Sequence, residues 1–165
     1  MNKEVYTTHA VPGTHIYTFL SEGKHGRIRK MVTIDRIEKP LLNVGHYELY
    51  NLGFGDLKIR NNEWILDDST RTNNGDMSKV IATVVQIAVL FLREHKDAIL
   101  FFQGYWDSKS IKGGRNQRNL LYQRAIESNW EDFTNEFVIR GVISSKIIDY
   151  VNGDTYDEIL IRCKI

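Results

Sequence analysis

Asn73-Asn-Gly-Asp-Met-Ser-Lys-Val-Ile-Ala-Thr-Val-Val-Gln-Ile-Ala-Val-Leu-Phe-Leu92 is the stretch in which the chain changes its period. Before it, apolar residues tend to alternate. Within it, Met77, Val80, Ile81, Val84, Ala88, Phe91 and Leu92 recur at helical spacing. Asn73 to Asp76 supply turn and N-cap residues, so the stretch predicts a helix of about 19 residues beginning near Met77. Its second half is apolar on nearly every side, which calls for the sheet on one face and other structure, or a second subunit, on another. Val80–Leu92 is too short to span a bilayer, which takes roughly 20 residues. Asp76, Lys79, Arg93, Glu94 and Lys96 also close in at its ends.

Working towards the N-terminus, His15–Leu20, Ile28–Ile37, Leu49–Ile59 and Trp64–Asp68 read as strands, with Asn61-Asn62 as a turn. Gly53 and Gly55 suggest a bulge in the third of them. Four sequential strands with short connections imply an antiparallel meander. Towards the C-terminus, Ala98–Gln103 reads as a short buried strand and Asn116–Glu127 as a helix, with a helical turn at Trp130–Phe133. Phe137–Ile143 and Glu158–Lys164 read as closing strands joined through the Asn152-Gly153-Asp154 turn. The expected fold is α+β: an N-terminal antiparallel meander followed by α-β-α-β-β, in a single domain over residues 1–165.

At 165 residues the chain suits one domain with a full core. Its 42% hydrophobic and 26% charged content is ordinary for a globular protein, and the formal net charge of +1 argues against coating nucleic acid through bulk charge. A single cysteine, Cys163, excludes an internal disulfide framework and a multi-cysteine zinc site. It alternates with Ile161 and Ile165, which points to packing. With no apolar core in the first ten residues to form a signal peptide, a cytoplasmic location is expected.

Against this balanced background, Lys109-Ser-Ile-Lys-Gly-Gly-Arg-Asn-Gln-Arg-Asn-Leu-Leu-Tyr-Gln-Arg124 carries five cations and no acid. A Gly-Gly pair leading into an arginine-rich helix start suits an anion, above all a phosphate. Arg115, Asn116 and Arg118 are the residues expected to hold it, as opposed to a solvated loop whose charges keep an edge soluble. Arg71, Gly75 and Lys79, around the first turn of the long helix, form a second candidate ligand-binding set, where the competing reading is an ordinary capped helix start. Asp56, Asp67, Asp68 and Asp76 suggest Mg²⁺ only if neighbouring strand ends bring them together; turn and cap chemistry accounts for them otherwise, and no metal site is assigned. The five histidines lack metal-ligand spacing, Ser108 and Ser110 lack a nucleophile elbow, and Tyr105 and Trp106 read as packing or as a stacking surface.

From the third strand onward the order resembles the second half of the GNAT superfamily of acyl-CoA N-acyltransferases. Asn116-Gln-Arg-Asn-Leu-Leu-Tyr122-Gln-Arg124 is similar to that family's Asn-x-x-Ala-x-x-Leu-Tyr-x-Lys helix. The resemblance implies a GNAT-like mixed sheet, acyl-CoA as ligand, Tyr122 as the acid that protonates the departing thiolate, and a backbone amide on the strand after Asp97 that polarises the thioester. The pyrophosphate loop, Gln/Arg-x-x-Gly-x-Gly/Ala in that family, is met here by Arg71-Thr-Asn-Asn-Gly75-Asp76. Tyr50-Asn-Leu-Gly-Phe-Gly-Asp56, Asn74-Gly-Asp76 with Lys79–Val84, and Arg118-x-x-Leu-Tyr122 resemble an uncharacterised bacterial domain family. The expected function is recognition of a small anionic, phosphate-bearing ligand, acyl-CoA or a nucleotide, with acyl transfer as the first choice of reaction. The alternative is a non-catalytic interaction protein, such as a defence, toxin-antitoxin or phage-associated module, with the apolar helix forming a homodimer. Neither membrane nor nucleic acid is an expected partner.

Overall fold

The computed structural model describes residues 4–67, 74–102, 111–112 and 115–164, with the backbone alone at 111–112 and 115–119. The first half is strand-rich: β1 (His9–Ala10), β2 (Ile16–Gly23), β3 (Gly26–Arg36), β4 (Glu48–Arg60) and β5 (Glu63–Asp67) precede the long helix α1 (Met77–Glu94). After it come β6 (Ala98–Phe102), the two-residue strands β7 (Ile111–Lys112) and β8 (Arg115–Asn116), α2 (Gln117–Glu127), α3 (Trp130–Glu136), β9 (Phe137–Ile143), β10 (Lys146–Asp149) and β11 (Glu158–Cys163). Nine of these strands form one sheet in the order β1-β2-β3-β4-β6-β11-β9-β10, with β5 added on β4, while β7 and β8 pair separately. The protein is mixed α+β, as expected. All pairings in the large sheet are antiparallel except β4 with β6.

That exception follows from α1, the crossover that returns the chain to the same end of the sheet. Val80, Ile81, Val84, Val85, Ile87, Ala88, Phe91 and Leu92 are buried, so the helix sinks into the core on most sides. β6 is buried at all five positions, as a central strand covered on both faces must be. One face of the sheet presents Val32, Ile34, Leu52, Phe54, Leu100, Phe102, Ile159 and Ile161 to the helices. On the opposite face Leu49, Ile99, Phe101, Val142 and Leu160 pack with Leu42, Val44 and Tyr47 of the β3–β4 connection.

The structure corrects the expectation in three places. β3 and β4 pair without interruption from Lys30↔Asp56 to Arg36↔Tyr50, so Gly53 and Gly55 sit in regular register with no bulge on that side. β9 and β11 are neighbours, but β10 intervenes in the chain: it turns back on β9 through Ser144 and Ser145, both at left-handed φ (51° and 65°). A Ser-Ser pair lacks the Gly/Asn signature that marks such turns. The Asn61-Asn62 turn has that signature and adopts φ of 52° and 63° as expected. The helical turn at Trp130 extends to Glu136.

Candidate functional site

β4 organises the site because two different strands divide one of its edges. β6 pairs with Glu48 to Leu52, and β5 pairs with Asp56 to Arg60. Asp56 is also the register partner of Lys30 on β3, which puts β5 on the edge away from β3. Between the two partners, residues 53–55 have no strand on that edge among the described residues. Tyr122 of α2 lies across this parting. Its ring is 6.0 Å from Phe54 and 5.3 Å from Phe102, the last described residue of β6, and it is 2% exposed.

At the same end of the sheet, α1 begins over the β2–β3 hairpin. Asn74 is tied on all sides: Lys24 donates its amide to the Asn74 carbonyl at 3.1 Å, His25 donates to Oδ1 at 2.7 Å, and Nδ2 donates to Ser21 Oγ and the Gly26 carbonyl. A Cβ on Gly23 would stand 2.0 Å from the Asn74 carbonyl oxygen, so this close approach requires glycine. Asp76 Oδ2 accepts from the Tyr6 and Ser21 hydroxyls, each at 2.5 Å. Burial, and next the hydrogen bond to Asp76, raise the Tyr6 phenol above its ordinary value. Asp76 makes no side-chain cap to the first turn of α1.

The first turn of α1, whose amides have no side-chain cap, borders a cavity of about 460 Å³ lined by Asn74 to Val80 and, from the sheet, by Lys30. Lys79 also lies over the Tyr6 ring, 4.3 Å from its centroid. Lys30 is 6% exposed and donates to Asp56 Oδ1 at 2.5 Å, with Asp56 itself 1% exposed. Lys30 alternates with the core residues Val32 and Ile34, and Asp56 with Leu52 and Phe54, so the pair is on the helix-covered face. Asp67 on β5 is the direct register partner of Asp56. The row Lys30, Asp56, Asp67 thus runs across three strands, two residues along β4 from the Phe54 that touches Tyr122. Asp56 Oδ2 has no hydrogen-bond partner.

Of the residues expected to bind a ligand, Gly75 and Lys79 line the cavity, and Gly75 adopts a left-handed φ of 84°. Arg71 lies outside the described residues, as do Asp68, Tyr105, Trp106, Ser108, Lys109, Ser110 and the Gly113-Gly114 pair. Arg115 and Asn116 form β8 and Arg118 is in the first turn of α2; their side chains are outside the described set. Asp56 and Asp67 are brought side by side as register partners, while Asp76 lines the cavity. His46 stacks on Tyr47 just before β4, at the opposite end of that strand from Asp56. Cys163 is buried and donates to the Leu92 carbonyl, and burial pushes its thiol up. Among the described residues no group of three or more His, Cys, Asp or Glu stands ready to hold a metal unaided. None of their helices is long and apolar enough to cross a membrane.

Sequence reasoning missed Lys30 as a site residue. Its signal was available: in β3 it takes a position that alternates with Val32 and Ile34, where a core residue is expected.

The sequence model of a family of unknown function, DUF6934, matches residues 2–164. The chain belongs to this family. No curated protein and no solved structure matches it. DUF6934 membership accords with the expected uncharacterised domain family and brings no activity with it, so function rests on the geometry of the site.

Proposed function

We propose that this DUF6934 chain binds a phosphate-bearing small molecule, acyl-CoA or a nucleotide, with a phosphate in the cavity at the start of α1. The observation that carries the reading is the lining of that cavity: uncapped first-turn amides, Lys79 and Lys30. Asp76, which by charge would repel a phosphate, turns its Oδ2 to two hydroxyl donors instead. From this cavity the ligand extends towards the basic segment 109–124, where Arg71, Arg115, Asn116 and Arg118 are the further contacts proposed.

For the reaction, the strand order supports a GNAT-like reading. A parallel pair joined by a helix, with the last strand inserted beside the second of the pair, is the arrangement that resemblance implies. Tyr122 stands where β4 and β6 part, in place to give a proton to a leaving thiolate. An acyl group seated there would meet β4 at residues 53–55, between the segments that pair with β6 and β5.

Thermal shift and calorimetry with acetyl-CoA and ATP test the binding. A ligand at a hundredfold excess over its Kd adds about 2.7 kcal/mol to stability. Lys79→Gln should weaken binding by about tenfold or more through loss of one charge-assisted contact. No shift with either ligand at millimolar concentration would overturn the reading. Tyr122→Phe keeps the packing, so it should leave acetyl-CoA binding intact and abolish acyl transfer.

The interaction-protein alternative draws on exposed apolar side chains: Leu90 on α1 at 48%, and Ile148 and Val151 at and beyond the edge strand β10 at 40% and 53%. Light scattering across a concentration series would show self-association through them.

A further inference from the structure

We propose that the outer edge of β2 at Leu20 binds a small ligand carrying one secondary amide and a carboxylate, as an N-acylamino acid or the last residue of a peptide does. The inference goes beyond the phosphate reading and does not depend on it.

The place comes from the way the N-terminal arm leaves the sheet. β1 pairs with β2 only at His9↔Thr18 and Ala10↔Tyr17. Continued in that register, Thr7 would stand opposite Leu20. The arm turns to α1 instead, where the Tyr6 amide donates to Thr83 Oγ1 at 2.9 Å. In an antiparallel strand, alternate residues direct their peptide groups to the same edge. On β2 the outer edge takes the even positions: the Ile16 carbonyl accepts from the Val11 amide, and the Glu22 amide and carbonyl both meet the Tyr6 hydroxyl. Leu20 falls in this series between Thr18, which β1 pairs, and Glu22. Among the described residues its N–H and C=O have no partner.

Beside that edge is a cavity of about 470 Å³, lined by Tyr6, Thr18, Leu20, Arg29 and Lys79 among others. Arg29 is the register partner of Leu20 on β3, and Lys79 comes from α1. Neither cation has a carboxylate partner among the described residues. Glu22, the one acid among the described lining residues, has Arg27 Nε at 3.4 Å.

These features select the ligand. An unpaired N–H and C=O of one residue exchange two hydrogen bonds with a single extended residue, as in any hydrogen-bonded pair of an antiparallel ladder. With β1 paired at Thr18 and the Tyr6 hydroxyl at Glu22, a longer strand has no open edge to continue on, so the guest is a chain end or a free molecule. Two cations without acids call for an anionic group, and arginine suits a carboxylate through two parallel hydrogen bonds.

The test uses the full chain, N-acetyl-L-alanine as the probe and amide chemical shifts to locate it. Lys79 lines both cavities, so the variant is Arg29→Gln, at an exposed position. We expect millimolar binding, with the Leu20 amide among the largest shifts. N-acetylalanine methyl ester, which lacks the charge, and N-acetylsarcosine, which lacks the N–H, should each bind about tenfold weaker or more. Arg29→Gln should weaken the acid by about tenfold and leave the ester unaffected. Absence of binding far above millimolar concentration, shifts centred on the first turn of α1, equal binding of acid, ester and sarcosine, or full acid affinity in Arg29→Gln overturns the proposal. A tetrapeptide and its C-terminal amide distinguish the sources. Displacement of the probe by the free acid alone assigns a peptide end, displacement by neither assigns a free acylamino acid, and displacement by both contradicts the carboxylate. Failure here leaves the phosphate site standing, because binding of ATP or acetyl-CoA is read through Lys79→Gln and the first turn of α1.

Discussion

Asp56 and Asp76 belong to one end of the sheet and both lie near the start of α1, yet their surroundings differ. Asp76 is half-buried, and two hydroxyls donate to a single oxygen, fixing Tyr6 of the N-terminal arm and Ser21 of β2 to the helix. Asp56 is fully buried, holds one ammonium and keeps an oxygen to spare. The first arrangement is a latch: one carboxylate oxygen takes both hydroxyls and ties the start of α1 to the N-terminal arm and β2. The second is open. Buried charge with unused hydrogen-bonding capacity does little for stability that apolar residues would not do better, and Lys30, which carries half of this pair, lines the cavity proposed above to hold the ligand.

The largest expected effect separates the two at once. Asp56→Ala leaves Lys30 buried without this carboxylate and should lower stability by about 3–5 kcal/mol, measured by denaturant unfolding. Asp76→Ala removes two hydrogen bonds to a charged group and should cost about 2–4 kcal/mol, with the loss concentrated in amide exchange at the β2–β3 hairpin and the first turn of α1. If Asp76→Ala instead left the hairpin fully protected, the anchoring role would be wrong. Tyr6→Phe keeps the stack on Phe19, at 5.8 Å between centroids, and loses only the hydroxyl. We expect a loss of about 1–2 kcal/mol from it.

The smallest effect is a pH dependence of the same latch. The folded chain holds the Tyr6 phenolic proton more tightly than the unfolded chain does. Its contribution is therefore complete below the unfolded value of about 10 and is lost as the pH rises above it. The stability gap between wild type and Tyr6→Phe should stay constant between about pH 7 and 9 and narrow beyond about pH 10. A gap independent of pH throughout would mean that the hydroxyl does not titrate with folding.

How far the sequence revealed all this varies along the chain. α1 was legible because its apolar spacing is strong over 18 residues, and β2 to β5 because alternation and the Asn61-Asn62 turn are strong local signals. β10 was not, because Ser144-Ser145 adopts a conformation that its side chains do not advertise. The pairing of β4 with both β5 and β6 is a long-range fact, and no local pattern encodes it. Candidate site residues divide the same way. Gly75 and Lys79 were found from the helix start they flank. Asp56 and Asp67 were noticed only as acids, since eleven positions separate them in the chain and register alone sets them side by side. Lys30 was overlooked because a single cation within a strand looks like an outward-facing residue until the strand's neighbours are known.

The central claim, that the Lys30–Asp56 row serves ligand binding and the Asp76 latch serves the fold, is tested most directly by Lys30→Met/Asp56→Leu. Melting curves of this variant and the wild type would be compared with and without ATP and Mg²⁺. The account predicts a variant that melts at or above the wild-type temperature and shows no ligand-induced shift, while the wild type is stabilised by ATP with Mg²⁺. A variant that keeps the full wild-type shift would contradict it.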